Sequence, residues 1–307
     1  MKNSLQQISE NVFVYMGGTT NYGVITHKNR CIIIDTGLDK TSGQKLYQEV
    51  TRCNWKPAAI INTHAHADHF GGNNRLVELA KCPVYCSPWE NNFLQEPILE
   101  PFSLFCGVNP PKNLQNKFLM AQKSPGEDIF QEGETLKEWG IEVVPLPGHT
   151  LGMIGIKKED VLFTGDAYIS SKVMEKHPIP FLMDVEESYK SLELLLTEPL
   201  NCCIHVIAHQ GIYVRPEAAC EIESYKDRIR EIYLLLKESV QEGPKTTEQL
   251  MQLVLRYFYL EVKTLAVYQL IMVTIHAYLA ALLNKQEIAP LFTDSTLYWC
   301  VPSTSSC

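Results

Sequence analysis

The stretch THAHADHFGG, Thr63 to Gly72, places three histidines and one aspartate within six consecutive positions, His64 to His69. Neutral imidazole nitrogens and carboxylate oxygens are the donors that suit zinc, iron or manganese, and alternate positions throw several of them to one side of a short turn. An apolar run, Ala58-Ala59-Ile60-Ile61, precedes it and reads as a buried strand. Gly71 and Gly72 follow, then a helical pattern at Leu76, Val77, Leu79 and Ala80. Ligands at the carboxyl end of a strand, just before a helix, lie where open α/β sheets bind things. A histidine-rich surface tract can also bind metal adventitiously, so the rest of the chain has to decide.

It offers three more donors in one local setting, an apolar strand meeting a small-residue turn. They are His149 in VVPLPGHTLG, Asp166 in VLFTGDAY and His209 in IHVIAHQG. Pro147 and Gly148 before His149, and Gly165 before Asp166, let the backbone turn sharply and aim the side chain off the sheet edge. Six residues cannot wrap two metals, and these three positions supply what the run lacks.

The pattern H-x-H-x-D-H, then G-H-T, then T-G-D, then a late histidine resembles the metallo-β-lactamase superfamily of metal-dependent hydrolases over about residues 10 to 210. Ile33-Ile34-Asp35-Thr36-Gly37 is similar to that family's early strand and turn beneath the metals. The resemblance implies an α/β fold, a four-layer αββα sandwich in which two mixed sheets face each other under outer helices. It also implies a ligand set: His64, His66 and His149 for one metal, Asp68, His69 and His209 for the second, and Asp166 as the bridge. Relatives with a flavodiiron-type centre carry glutamate where this chain has His66, and single-iron members lose part of the second set. Every position is filled here, which favours hydrolysis over redox chemistry. The cofactors expected are two divalent metal ions, zinc first, with manganese or iron as alternatives.

The expected chemistry follows from those ligands. A metal lowers the pKa of bound water from 15.7 towards about 7, so a metal-bridging hydroxide is available at neutral pH for attack on a carbonyl or phosphorus. The cations then stabilise the developing oxyanion. Asp68 and Asp166 are the candidate catalytic residues, with Asp68 either steering the hydroxide or serving purely as a ligand. Thr63, Thr150 and Asp35 are placed to orient ligand imidazoles or, as the commoner duty, to cap turns.

At 307 residues the chain can bury a sizeable core, and a net charge of -8 argues against strong nonspecific nucleic-acid binding. Ten cysteines show no disulfide-scaffold rhythm and no C-x-x-C pair, the pattern of a reducing compartment. The opening MKNSLQQISENVFVYMGG has no apolar core of signal-peptide length, so a cytoplasmic location is expected.

The organisation divides near residue 214. Residues 1–214 alternate short strands and helices and form the expected catalytic domain. Residues 215–290 form a helical C-terminal domain, and 291–307 a tail. Ala218 to Val240 reads as one amphipathic helix, Thr246-Thr247-Glu248 starts a second, and Leu265 to Leu283 gives a very apolar third. Gln269, Thr274 and His276 interrupt the third, which favours a buried helix over a membrane span. Gly-Pro-Lys-Thr-Thr followed by paired helices resembles the winged-helix-like tail of a superfamily subgroup. From Arg215 to Ile288, nine Lys and Arg stand against ten Asp and Glu, so no basic recognition face is expected.

Two segments are expected to set the substrate. Pro88 to Asp128 lacks clear periodicity and reads as a long loop or lid, with Trp89, Phe93, Phe102, Phe105 and Phe118 available to line an apolar pocket. In Tyr168 to Met183, Tyr168 is placed to hydrogen-bond a substrate carbonyl or oxyanion, two residues after Asp166 where the lactonase branch has three. The expected partner is a small molecule, an ester, lactone or thioester, with a homodimer open and no membrane contact. The alternatives are a phosphodiesterase or endoribonuclease on the same centre, and a mononuclear iron sulfur dioxygenase.

Overall fold

The computed structural model describes residues 5–16, 20–131, 133–209 and 211–302. The isoleucine-rich runs do become strands. In the first sheet β1 (Leu5–Ser9), β2 (Val12–Met16), β3 (Asn21–His27) and β4 (Arg30–Ile34) form an antiparallel meander. Beyond β4 the neighbours β5 (Lys56–Ile61), β6 (Val84–Cys86) and β7 (Glu127–Asp128) run parallel. The second sheet has the order β12-β11-β10-β9-β8, from β8 (Ile141–Pro145), β9 (Ile154–Lys158), β10 (Val161–Gly165), β11 (Ile204–Ile207) and β12 (Ile212–Tyr213). Only its β10–β11 pair is parallel.

Strand alternation sorts the side chains into layers. Ile32 and Ile34 of β4 face inward with Val12, Val14, Ile25 and Ile61, and meet Ile154, Ile156, Phe163 and Val206 of the other sheet. Ile33 points the opposite way, with Val24 and Ile60, into Leu46 and Val50 of the helix Lys40–Arg52 and Leu76 of the helix Asn73–Ala80. On the outer face of the second sheet, Val144, Leu162 and Ile207 share one core with the helices Val185–Leu195, Glu217–Gln241, Thr247–Tyr257 and Leu265–Asn284. Helix, sheet, sheet, helix is the expected four-layer order.

The long amphipathic helix is continuous because Ala218, Ile222, Tyr225, Ile229, Ile232 and Leu236 recur every three to four residues and are all buried. Thr246 caps the next helix through a capping box with Gln249. The helix Leu265–Asn284 is long and apolar enough to cross a membrane by composition; here it buries Ile271, Ile275, Tyr278, Leu279 and Leu282 in the core shared with the second sheet.

Two local expectations are corrected. Pro88–Asp128 is no open loop: it contains the helices Pro88–Gln95 and Leu99–Leu104 and ends in β7. Proline at the helix start and the short apolar spacing within Phe93, Leu94 and Leu104 explain why periodicity over the whole stretch failed to show them. The stretch from 291, expected as a tail, instead pairs as a hairpin of β13 (Ala289–Thr293) and β14 (Thr296–Cys300). A bridge from Lys245 to Trp299 ties it back to the helices, and residues 303–307 lie outside the described part.

Gly148, just before His149, has φ +133, and a Cβ there would collide with the backbone of Ser188. Its carbonyl accepts from the N–H groups of both Met183 and Asp184, at 2.9 and 3.0 Å, so the loop has no direction in which to give. Gly148→Ala is expected to cost about 3 kcal/mol or more, lowering the melting midpoint by at least ~5 °C. A wild-type midpoint in a thermal scan would show that this packing is not rigid.

Candidate metal centre

Every sequence-identified donor sits just beyond the carboxyl end of a strand. His64, His66, Asp68 and His69 follow β5, His149 follows β8, Asp166 follows β10 and His209 follows β11. Asp68 and His69 ride on the one-turn helix Ala67–Phe70, whose exit is fixed by Gly72, where a Cβ would strike the carbonyl of Thr36.

The structure brings all seven together. His64 Nε2 and His149 Nε2 lie 3.1 and 3.0 Å from His66 Nδ1. Three imidazole nitrogens that close cannot all be satisfied by protons shared among themselves, and a cation that accepts three lone pairs satisfies them at once. His69 and His209 form the second group with Asp68, whose Oδ2 is 3.3 Å from His209 Nε2. Asp166 Oδ2 lies between the groups: 3.2 Å from His209, 3.6 Å from His69, 3.5 Å from His149 and 4.0 Å from His64, each at Nε2. His69 Nε2 and Asp166 Oδ1 are buried with no hydrogen-bond partner. Buried donors and acceptors left unpaired in this way cost free energy, and ion coordination removes that cost. The residues fit the metal groups they were assigned to.

Electrostatics separate the two groups. Burial pushes the His64 and His149 imidazoles down, and His66 to about 3, so their lone pairs are free. Burial acts the same way on His69, but Asp166, Asp35 and Asp68 outweigh it and raise that ring to about 10. Asp166 likewise raises His209 well above the ordinary imidazole range. Burial opposes ionisation of Asp166 and Asp68, yet neighbouring His209 and His69 hold both carboxyls below the usual range.

The supporting shell was partly foreseen. Asp35 accepts from His69 Nδ1 at 2.9 Å and from the Thr63 backbone and hydroxyl at 2.9 and 2.8 Å. It does so from a left-handed backbone, φ +58, a strained conformation typical of functional sites. Thr63 Oγ1 also lies 3.1 Å from His64 Nδ1, and the Phe181 carbonyl accepts from His149 Nδ1 at 3.1 Å. Thr150 does not touch an imidazole; its hydroxyl donates to Glu90 Oε1 at 2.8 Å.

Glu90 was missed by sequence reasoning, as was Glu100. Glu90 is buried and accepts from Ala65 N, Thr150 Oγ1 and Gly152 N at 2.8, 2.8 and 3.0 Å, joining the two loops that carry His64, His66 and His149. Tyr168 is corrected: it is fully buried, and its hydroxyl pairs with His205 Nδ1 at 3.0 Å, which leaves it nothing to offer a substrate. Of the aromatic residues expected in a pocket, Trp89 and Phe93 line a cavity against His66 with Leu151 and Met183, while Phe118 is 66 % exposed.

Comparison with known proteins agrees with this geometry. The family model described as "Metallo-beta-lactamase superfamily" matches residues 15–201. The chain is 27 % identical over 214 residues to a hydroxyacylglutathione hydrolase of Enterobacter sp. (strain 638), covering 69 % of each. A probable metallo-hydrolase of Methanocaldococcus jannaschii is 34 % identical over 155 residues, 50 % of this chain and 68 % of that protein. In fold the chain is similar to a metallo-beta-lactamase family protein from Thermus thermophilus, with TM-score 0.69 and 18 % identity over 96 % of this chain and 100 % of the other. A family match across 15–201, falling on a chain whose histidine and aspartate donors converge at the strand ends, leaves one conclusion: the protein belongs to the metallo-beta-lactamase superfamily of metal-binding hydrolases.

Proposed function

We propose that the protein is a dinuclear metal-dependent hydrolase of a small carboxylic ester, lactone or thioester. One observation carries the reading: a single carboxylate oxygen, Asp166 Oδ2, lies within 4.0 Å of nitrogens from both ligand groups. His64, His66 and His149 would hold one cation, Asp68, His69 and His209 the other, and Asp166 would serve both. When bound, the pair, taken as zinc, supplies an activated water and positive charge for the developing oxyanion. Asp68, a third exposed and beside His209, is the group positioned to accept or return a proton as the leaving group departs. Asp35, Thr63 and the Phe181 carbonyl fix the imidazoles of His69, His64 and His149 so that their other nitrogens face inward.

The walls support a neutral or weakly polar substrate. Beside His66 lie apolar Trp89, Phe93, Leu151 and Met183 and two carboxylates, Glu90 and Glu100. Among the described residues no Lys or Arg lines that cavity to meet a phosphodiester backbone, which ranks RNA or phosphodiester hydrolysis below acyl transfer to water. Phe181, whose ring is 5.5 Å from those of both His66 and His149, also walls a cavity of about 300 Å³ lined by Ile169, Ile179, Val262 and Leu270 together with Lys176, His177 and Glu261, room for the alkyl part of an ester or thioester. The thioester ranks first among the three, a reading supported by similarity to the relative named hydroxyacylglutathione hydrolase.

The same reading takes residues 1–214 as the catalytic domain and 215–290 as a winged-helix-like helical one, and sets the protein in the cytoplasm, in keeping with unpaired cysteines at all nine described positions. Elemental analysis of the protein as purified, then a turnover panel on the zinc-loaded protein, tests it: S-acyl thioester, lactone, aryl ester, aryl phosphodiester and single-stranded RNA. Acyl substrates turning over with two metals per chain is the expected result. Faster phosphodiester or RNA cleavage, or a single iron per chain, overturns it.

A further inference from the structure

Three of the metal-facing imidazoles have an outer partner: Thr63 Oγ1 for His64, Asp35 for His69 and the Phe181 carbonyl for His149. His66 presents Nδ1 inward, so its outward atom is Nε2, and that atom is buried without a hydrogen-bond partner. The nearest acid is Glu100, on the helix Leu99–Leu104, with Oε1 3.6 Å from His66 Nε2 and a side chain 8 % exposed. A shielded ring nitrogen with no partner thus faces a shielded carboxyl oxygen.

We propose that Glu100 is the positioning residue for His66: an oxygen of its carboxyl group takes the Nε2–H and so fixes Nδ1 as the metal-facing donor. Closing the contact from 3.6 Å to an ordinary N–H···O distance requires a shift of about 0.7 Å, within reach of one side-chain rotation. The arrangement is the histidine–carboxylate pairing that Asp35 and His69 already make on the other side of the centre, at 2.9 Å. An isolated buried acid costs stability, and a role in holding a ligand accounts for one being there.

The inference rests on His64, His66 and His149 forming one metal group, and the test separates the two. Metal-free protein is titrated with Co2+ alone, and its melting midpoint is recorded without metal. If the wild type binds no Co2+ through these histidines, the metal-centre reading itself fails. If it does bind, Glu100→Leu is expected to weaken one of the two ions by about 10–100-fold while the metal-free midpoint stays equal or rises. Glu100→Gln, whose amide oxygen still accepts, is expected to recover most of that affinity. In zinc-loaded wild type the His66 Nε2–H gives a slowly exchanging proton signal that Glu100→Leu loses and Glu100→Gln keeps. Unchanged Co2+ affinity in Glu100→Leu overturns the proposal. So does an affinity loss that tracks a lowered metal-free midpoint, since that marks Glu100 as structural only.

Discussion

Asp166→Ala is expected to abolish hydrolysis, by a factor of about 10³ or more, with the fold retained. The reason is positional: among the described residues no other oxygen in the centre approaches nitrogens of both ligand groups, and its loss leaves four imidazoles facing a gap with no shared anion. Metal content should fall from two ions per chain to one or fewer, read by elemental analysis after desalting. His149→Ala should empty the first group selectively, and the two variants together distinguish bridging from simple ligation. Full turnover in either would sink the dinuclear reading. Far-ultraviolet circular dichroism provides the folding control, because Asp166 lies beyond the end of β10 and contributes nothing to the strand ladder.

Glu90→Ala is expected to have the largest effect on stability, about 3–5 kcal/mol in denaturant unfolding. Its carboxylate satisfies three donors that belong to two separate loops, and removing it strands Ala65 N, Thr150 Oγ1 and Gly152 N in the interior. Each buried donor left unpaired costs about 1–3 kcal/mol, partly recovered by water entering the gap. Burial pushes the Glu90 acid up and those three bonds hold it back, a balance that needs all of them. Glu90→Gln keeps the acceptor geometry at one oxygen but turns an N–H pair towards donors, so it should lose roughly half as much. Metal affinity should fall in both variants as the arms carrying His64 and His149 drift apart. A stability loss under ~1 kcal/mol for Glu90→Ala would mean that the loops hold their positions without this tie.

The centre was legible because metal ligation demands particular side chains at strand ends, and such ends announce themselves as apolar runs broken by Gly or Pro, as at Gly148-His149 and Gly165-Asp166. The layered fold was legible for a related reason, since Ile32, Ile33 and Ile34 fill a strand buried on both faces. Glu90 and Glu100 were not. Each is an acid on a short helix, written like any solvated residue, and only the approach of the 149–152 loop and of His66 gives it a partner. Tyr168 failed in the opposite sense: proximity in sequence to Asp166 suggested the site, whereas the turn after β10 sends its ring down to His205. The hairpin of β13 and β14 was hidden because Leu291, Phe292 and Leu297 remain exposed, so burial leaves little alternation to read.

The segment behind His149 is gripped from the far end of the chain. Leu182 N donates to Thr274 Oγ1 at 3.3 Å, Arg228 Nη1 to the Pro178 carbonyl at 2.8 Å, and the Ser171 backbone and hydroxyl to Glu221 at 2.6 and 3.1 Å. Phe181, between two of these anchors, supplies the carbonyl on which His149 leans. The closing third of the polypeptide thus braces the loop behind His149 from within the core that it shares with the second sheet. Arg228, nearly eighty positions further along the chain, thereby helps to set where the His149 ring leans without standing among the groups that face the metals.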